Sequence, residues 1–310
     1  MSLFLALLSR LFPLYATMGI GAGLGRAFGN MSGALAQLQF YLILPVVVLT
    51  NMMKMEFTAD LLVMPVLYAV LCFGISSATF AFAKGCGVRF APLMAQASGM
   101  CNAGYLGIPV ATILFPENFI PVYILTMIGG TIYESTIGYY WMARGRYSPR
   151  DAVKSLLKMP LMYCLVVGLV LNKIGVHLPE MWQSLARDFL GAYVILGALI
   201  VGMGLAKNKS FKLHGKLLGF LFTAKFVVWP AVTVAALALL RLTPFAVPEM
   251  YEPILLLLSF LPLAANTAAL ASLLDVFPEE AATAVALSTL LSIGIIPAYV
   301  HFFGFAYGGL

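Results

Sequence analysis

Long apolar runs, following one another with little charge inside them, constrain this chain more than any single motif. They cover approximately residues 5–25, 33–53, 61–83, 92–114, 119–143, 159–177, 183–206, 216–240, 252–274 and 280–303. A helix needs about 20 such residues to cross a bilayer, whose hydrocarbon core is about 30 Å thick. Lipid supplies no hydrogen bonds, so a continuous lipid-facing run must satisfy its backbone internally, as helix. A transmembrane barrel would instead show alternating segments of about ten residues. Composition agrees: 62% of residues are hydrophobic, 10% are charged, and the mean hydropathy is +0.98. A soluble domain is about half apolar and a quarter charged. The expected class is therefore an all-α membrane protein of ten transmembrane helices without a sizeable extramembrane domain.

Basic residues orient those helices. One set of alternate loops holds Arg26, Lys84, Arg89, Arg144, Arg146, Arg150, Lys154, Lys158, Lys207, Lys209, Lys212 and Lys216. The other set holds only Arg10, Lys54, Lys173 and Arg241, while Arg187 and Lys225 sit at or within span ends. Cytoplasmic loops are the Lys/Arg-rich ones, so both termini are expected outside. This bias accounts for the net charge of +6. Only Tyr147 and Phe211 interrupt the basic segments 144–158 and 207–216 as stacking aromatics, and nucleic acid is not an expected partner. Cys72, Cys86, Cys101 and Cys164 form no CxxC pair, and His177, His214 and His301 are scattered, so neither a disulfide framework nor a metal site is expected. Residues 1–10 lack a basic leader and run on into a full span, unlike a cleaved signal peptide.

The basic 144–158 segment divides the chain into a first five-helix repeat, 1–143, and a second, 159–310. Five is odd, so the second repeat is inverted. Phe12-Pro13-Leu14 with Gly21 and Arg26 is echoed at a constant interval by Met159-Pro160-Leu161 with Gly168 and Lys173. Phe115-Pro116-Glu117 recurs as Phe277-Pro278-Glu279. Inverted repeats mark alternating-access transporters, whose sites lie near the midplane at discontinuous helices.

Two spans carry the residues for such discontinuities. The fourth holds Asn102-Ala103-Gly104-Tyr105-Leu106-Gly107-Ile108-Pro109, and the ninth holds Leu261-Pro262-Leu263-Ala264-Ala265-Asn266-Thr267. A proline removes one backbone donor and crowds the preceding turn, so an opening is expected around Tyr105 and Leu106. Candidate helix-breaking positions are Gly104, Gly107, Pro109 and Pro262. Two half-helix N-termini meeting at the midplane offer free N–H groups and positive dipole ends, an anion site. Candidate substrate contacts are Asn102, Tyr105, Pro109, Asn266 and Thr267. Glu134 is the carboxylate placed deepest in a span. Such residues are usually functional, and the competing roles are proton carrier, sodium ligand and structural partner. Gly19, Gly21, Gly23 and Gly25 have GxxxG spacing, a helix-packing signal. Asn51, Gln37 and Gln39 fit interfacial caps or an outer vestibule.

Asn102 to Pro109, with its Asn-x(4)-Gly-Ile-Pro spacing, resembles the fourth-span crossover of the auxin efflux carrier family. The stretch from Leu261-Pro262 through Phe277-Pro278-Glu279-Glu280 to Pro297 resembles that family's C-terminal half. The resemblance implies crossed broken helices 4 and 9 in a bile-acid-symporter-like fold. It further implies a scaffold of spans 1, 2, 6 and 7 and an elevator-like transport unit of spans 3–5 and 8–10. Bacterial-type relatives imply small mono- or dicarboxylates such as malate or malonate, and plant relatives imply auxin-like weak acids. This chain departs in having Thr267 where plant members place a second crossover proline, and in having only a short central loop. The location implied is a bacterial inner membrane. The partners implied are a small organic anion, the lipid bilayer and at most a second copy of the chain in a homodimer. No cofactor is expected beyond a coupling proton or sodium ion. A sodium-coupled symporter of the bile-acid type is one alternative. An intramembrane enzyme is another, but GxSxG, HExxH and paired intramembrane aspartates are all absent from the sequence.

Overall fold

A computed structural model describes residues 3–29, 31–54, 61–176, 178–207 and 214–304; within these, the side chains of 3–11, 14, 105, 109, 117, 204 and 205 lie outside the description. The described residues form helices and connecting turns, with no strand among them. In chain order the helices are α1 (Leu3–Phe28), α2 (Ser32–Met53), α3 (Val63–Gly85), α4 (Ala91–Ser98), α5 (103–114), α6 (120–143), α7 (Pro149–Leu157), α8 (Pro160–Lys173), α9 (Glu180–Lys207), α10 (Gly215–Leu240), α11 (Glu252–Phe260), α12 (Ala265–Leu274) and α13 (Pro278–Phe303).

Among the described residues, α2, α3, α9, α10 and α13 are each long and apolar enough to cross a membrane. Two bent pairs, α7 with α8 at 50° and the 249–260 segment with α12 at 46°, raise the count to seven if each pair is one span. The other expected positions are also helical: α1 at the first, α6 at the fifth, and the two short halves α4 and α5 at the fourth.

The basic 144–158 segment, expected as a loop, contains α7. Ser148 caps it in reciprocal fashion: its Oγ accepts from Asp151 N at 3.2 Å and donates to Asp151 Oδ2 at 2.7 Å. Pro149 opens the helix where a missing N–H costs nothing. Ala152 is buried, while Arg150 and Asp151 are exposed, so α7 buries one narrow stripe and keeps its charges out.

Glycine sets the closest approaches. A Cβ on Gly21 would stand 2.5 Å from Leu199 O, and one on Gly25 would stand 3.1 Å from the Ala206 Cβ. From the facing helix, a Cβ on Gly202 would overlap the Met18 carbonyl. Gly19 and Gly23 meet nothing, so only the 21/25 member of the two GxxxG pairs packs α1 on α9. Gly168 does the same for α8 against α2, where a Cβ would stand 2.7 Å from Met52 Cβ. The interval from Gly21 to Gly168 equals that from Met52 to Leu199, so the two glycine contacts are related by exchange of partners between the halves. Lipid gives no hydrophobic drive for helix association, and close backbone packing by small residues takes its place.

Candidate functional site

The fourth and ninth expected spans are both broken, and the breaks touch. Helix α4 stops at Ser98, residues 99–102 leave helical geometry, and α5 begins at Ala103. Helix α11 stops at Phe260, residues 261–264 are extended, and α12 begins at Ala265. Asn102 N donates to Pro262 O at 2.8 Å, joining one break to the other. The opening in the fourth span thus lies upstream of the expected position around Tyr105 and Leu106. Pro109 lies early in an α-helical stretch, Ile108–Leu114, preceded by a π-turn, Ala103–Gly107, which absorbs the donor that proline lacks. The side chains of Tyr105 and Pro109 lie outside the described residues. Gly107 is a packing position, because a Cβ there would overlap the Tyr123 hydroxyl and approach Leu261 Cδ1 at 2.7 Å.

A broken helix leaves carbonyls without partners at its first half and N–H groups at its second. Neighbouring helices supply donors to the carbonyls. The Tyr133 hydroxyl lies 2.7 Å from Ser76 Oγ, 3.2 Å from Gln96 O and 3.3 Å from Ala95 O. Trp229 Nε1 donates to Ser98 O at 2.5 Å, and Tyr123 donates to Ala103 O at 2.9 Å. On the other side, Lys225 Nζ donates to Leu258 O at 3.4 Å. Leu263 N donates to Ser288 Oγ at 3.2 Å.

Beside the contact between the two breaks lies a cavity of about 210 Å³. Asn51, Asn102, Gly104, Glu134, Tyr193 and Asn266 line it, with Leu44, Val47, Met52 and Met127 among its apolar walls. Three helices converge on Asn266 of α12. Gln39 Nε2 of α2 donates to its Oδ1 at 3.0 Å, its Nδ2 donates to the Tyr193 hydroxyl of α9, and the Glu134 carboxyl of α6 lies within hydrogen-bonding reach. Asn102 Nδ2, Glu134 Oε1 and Gln39 Oε1 are buried without partners. Each such group costs about 1–3 kcal/mol, more when charged, unless something binds it. Thr267 is buried with its hydroxyl unpartnered, but it does not line the cavity. The structure therefore brings together Asn102, Asn266, Glu134 and Gly104 of the expected residues and sets Thr267 apart.

Gln39, Glu134 and Lys225 each sit within the first two positions of a π-turn, in Gln39–Ile43, Glu134–Gly138 and Ala224–Val228. A π-turn inserts one residue into a helix and re-aims the side chains around it, and such turns concentrate at functional sites. Gln39, expected as an interfacial cap, is instead fully buried. Lys225, which the sequence places merely within a span end, is fully buried too. Periodicity gives no sign of a π-turn. The available signals were a lysine inside an apolar run and the pairing of Lys225 with Trp229.

No cation lines the cavity among the described residues, so an anion there would meet amide groups and helix N-termini. No group of three or more His, Cys, Asp or Glu residues suited to a metal ion occurs among the described residues. Residues 148–300 match the family model for membrane transport proteins, the domain of the auxin efflux carriers. Residues 148–300 thus carry the transport domain of the auxin efflux carrier family. The matched stretch includes Lys225, the ninth-span break and Asn266. That domain and the apolar helices mark the chain as a membrane transporter with several helices long and apolar enough to cross a bilayer. The family is one of transporters rather than enzymes. A search of curated proteins finds no match.

Proposed function

We propose that this chain is a secondary carrier of small organic anions, mono- or dicarboxylates of the malate or malonate kind or auxin-like weak acids, working by alternating access. The observation that carries this reading is the cavity at the contact between two broken helices, where Asn102 and Asn266 stand at the starts of α5 and α12. Half-helix N-termini attract anionic groups in carriers of this kind. Asparagine amides add neutral donors there at low desolvation cost.

Ten spans in an inverted 5+5 arrangement, both termini outside a bacterial inner membrane and the 144–158 and 207–216 segments in the cytoplasm complete the proposal. Its support is the charge bias along the sequence and the exchanged glycine contacts, Gly21 on Leu199 and Gly168 on Met52. The spans of 1–53 and 159–207 pack on one another and supply the scaffold, while α3–α6 and α10–α13 move as the transport unit. Glu134 couples transport to a cation: it is the buried acid of the cavity, and a carboxylate there repels an anionic substrate unless neutralised.

Uptake into proteoliposomes across a panel of carboxylates, with sodium and pH gradients imposed separately, tests the reading. Gradient-driven accumulation of at least one carboxylate is the expected result, and no accumulation under either gradient contradicts it. Glu134→Gln should abolish gradient-driven uptake while leaving substrate exchange largely intact. Normal accumulation by that variant would leave Glu134 with a structural role only.

A further inference from the structure

Helix α10 serves both breaks with groups that can only donate. Trp229 Nε1 reaches Ser98 O at the end of α4, and Lys225 Nζ reaches Leu258 O in the last turn of α11. Both carbonyls belong to the C-terminal turn of a half-helix, where unpaired acceptors and the negative dipole end gather. In carriers with discontinuous helices, such carbonyl ends are where coupling cations are held. Here an ammonium is already present. Lys225 is fully buried, and its Nζ lies 4.4 Å from the centroid of the Trp229 ring, within cation–π range.

Among the described residues no acid balances this charge. The titratable groups that face Lys225 are the thiols of Cys72 and Cys101, and none of the ion pairs among the described residues includes it. A lysine within a span is costly to insert, and such residues ordinarily pair with an acid or line a water-filled path. Lys225 does neither: it is absent from the cavity lining and has the carbonyl end of α11 and an indole face instead. The arrangement is a cation site whose cation is covalently attached. Cys101, which accompanies Lys225, lies in the fourth-span break itself, and its Sγ is 3.1 Å from the Tyr68 hydroxyl, a residue of the cavity wall. The charge is therefore placed to hold both breaks in register with the cavity.

We propose that the Lys225 ammonium is a built-in cation standing where a coupling metal ion would bind at the ends of the broken helices, so that this position needs no sodium. The consequence for coupling rests on the carrier reading, but the binding claim does not. The test is thermal unfolding of the purified full-length protein in detergent, in choline chloride, sodium chloride or methylammonium chloride at equal ionic strength. With Glu134→Gln as the common background, which removes the acid of the cavity as a second cation site, the protein that keeps Lys225 should melt at the same temperature in all three salts. Lys225→Ala, which opens room for a free cation, should melt several degrees lower in choline and recover in sodium or methylammonium. Lys225→Arg, which keeps the charge, should remain indifferent to the salt. Sodium stabilising the Glu134→Gln protein that keeps Lys225 would overturn the proposal. So would a Lys225→Ala protein that melts alike in all three salts, or one that fails to fold in sodium as well as in choline. Because no substrate enters the measurement, failure of carboxylate uptake would count against the carrier reading and leave this result standing.

Discussion

The interface of α1 with α9 and the contact between the two broken helices both hold helices together, and they do so by opposite means. At the first, glycines remove side-chain volume until backbones touch: Gly21 and Gly25 on one helix, Gly202 on the other. Tyr15 of α1 makes its hydrogen bond elsewhere, to the Thr289 carbonyl. At the second, side chains of α6 and α10 replace the hydrogen bonds that the breaks forfeit, through Tyr123, Tyr133, Lys225 and Trp229. An unbroken helix has no backbone group to satisfy, so shape alone governs its packing. A broken helix brings unpaired groups into lipid, and polar partners become obligatory. Tyr123, Tyr133, Lys225 and Trp229 therefore mark where the backbone departs from helix.

That contrast is most easily broken at the glycine interface. Gly202→Leu drives a branched side chain into the α1 backbone at Met18 and Ala22, where nothing flexible can yield. Overpacking costs about 1–3 kcal/mol even in cores that can adjust. The expected outcome is loss of most folded protein, read by size-exclusion chromatography in detergent; a monodisperse variant at normal yield would show that α1 and α9 need not touch.

A smaller effect is expected from Trp229→Phe, which keeps the ring but removes the donor to Ser98 O. Hydrogen bonds between membrane helices contribute about 0.6 kcal/mol on average and about 1.7 at most. The variant should fold, melt slightly lower, and exchange the amides around 99–102 faster by mass spectrometry. Unchanged exchange there would mean that the break holds without its cap.

The smallest effect lies outside the span region, at α7. Ser148 donates to the exposed Asp151 carboxylate and, with Lys154 nearby, holds its pKa below the usual range. A depressed folded-state value means that the stabilisation is present above the unfolded value, about 3.9, and is lost as pH falls through the folded one. Amides of 149–157 should therefore lose protection only in acid, with no change between neutral and mildly alkaline pH. In Asp151→Ala that acid-dependent step should disappear; its persistence would assign it to another group.

The apolar runs told where helices lie because lipid imposes one solution on a long run, and the prolines and asparagines of 102–109 and 261–267 marked the broken pair. The exact site of the fourth-span break was not legible, because Pro109 signals strain without saying which side of it yields; a π-turn took up the missing donor and the opening fell at 99–102. Gln39 and Lys225 were hidden for the same physical reason: a π-turn inside a helix re-aims the side chains around it, and no periodicity announces it. Thr267, adjacent to Asn266 in sequence, faces away from the cavity because neighbouring residues on a helix point in different directions.

Binding at the contact between the two breaks is tested most directly by removing its two amides. A carboxylate that the wild type accumulates should be titrated against purified Asn102→Ala, Asn266→Ala and the double variant, with melting temperature measured in parallel. Each single change should weaken binding by about 1.5–3 kcal/mol, the range for hydrogen bonds to charged groups, and the double variant should show no measurable binding while remaining monodisperse. Wild-type affinity in a folded double variant would place the substrate somewhere other than the contact between the broken helices.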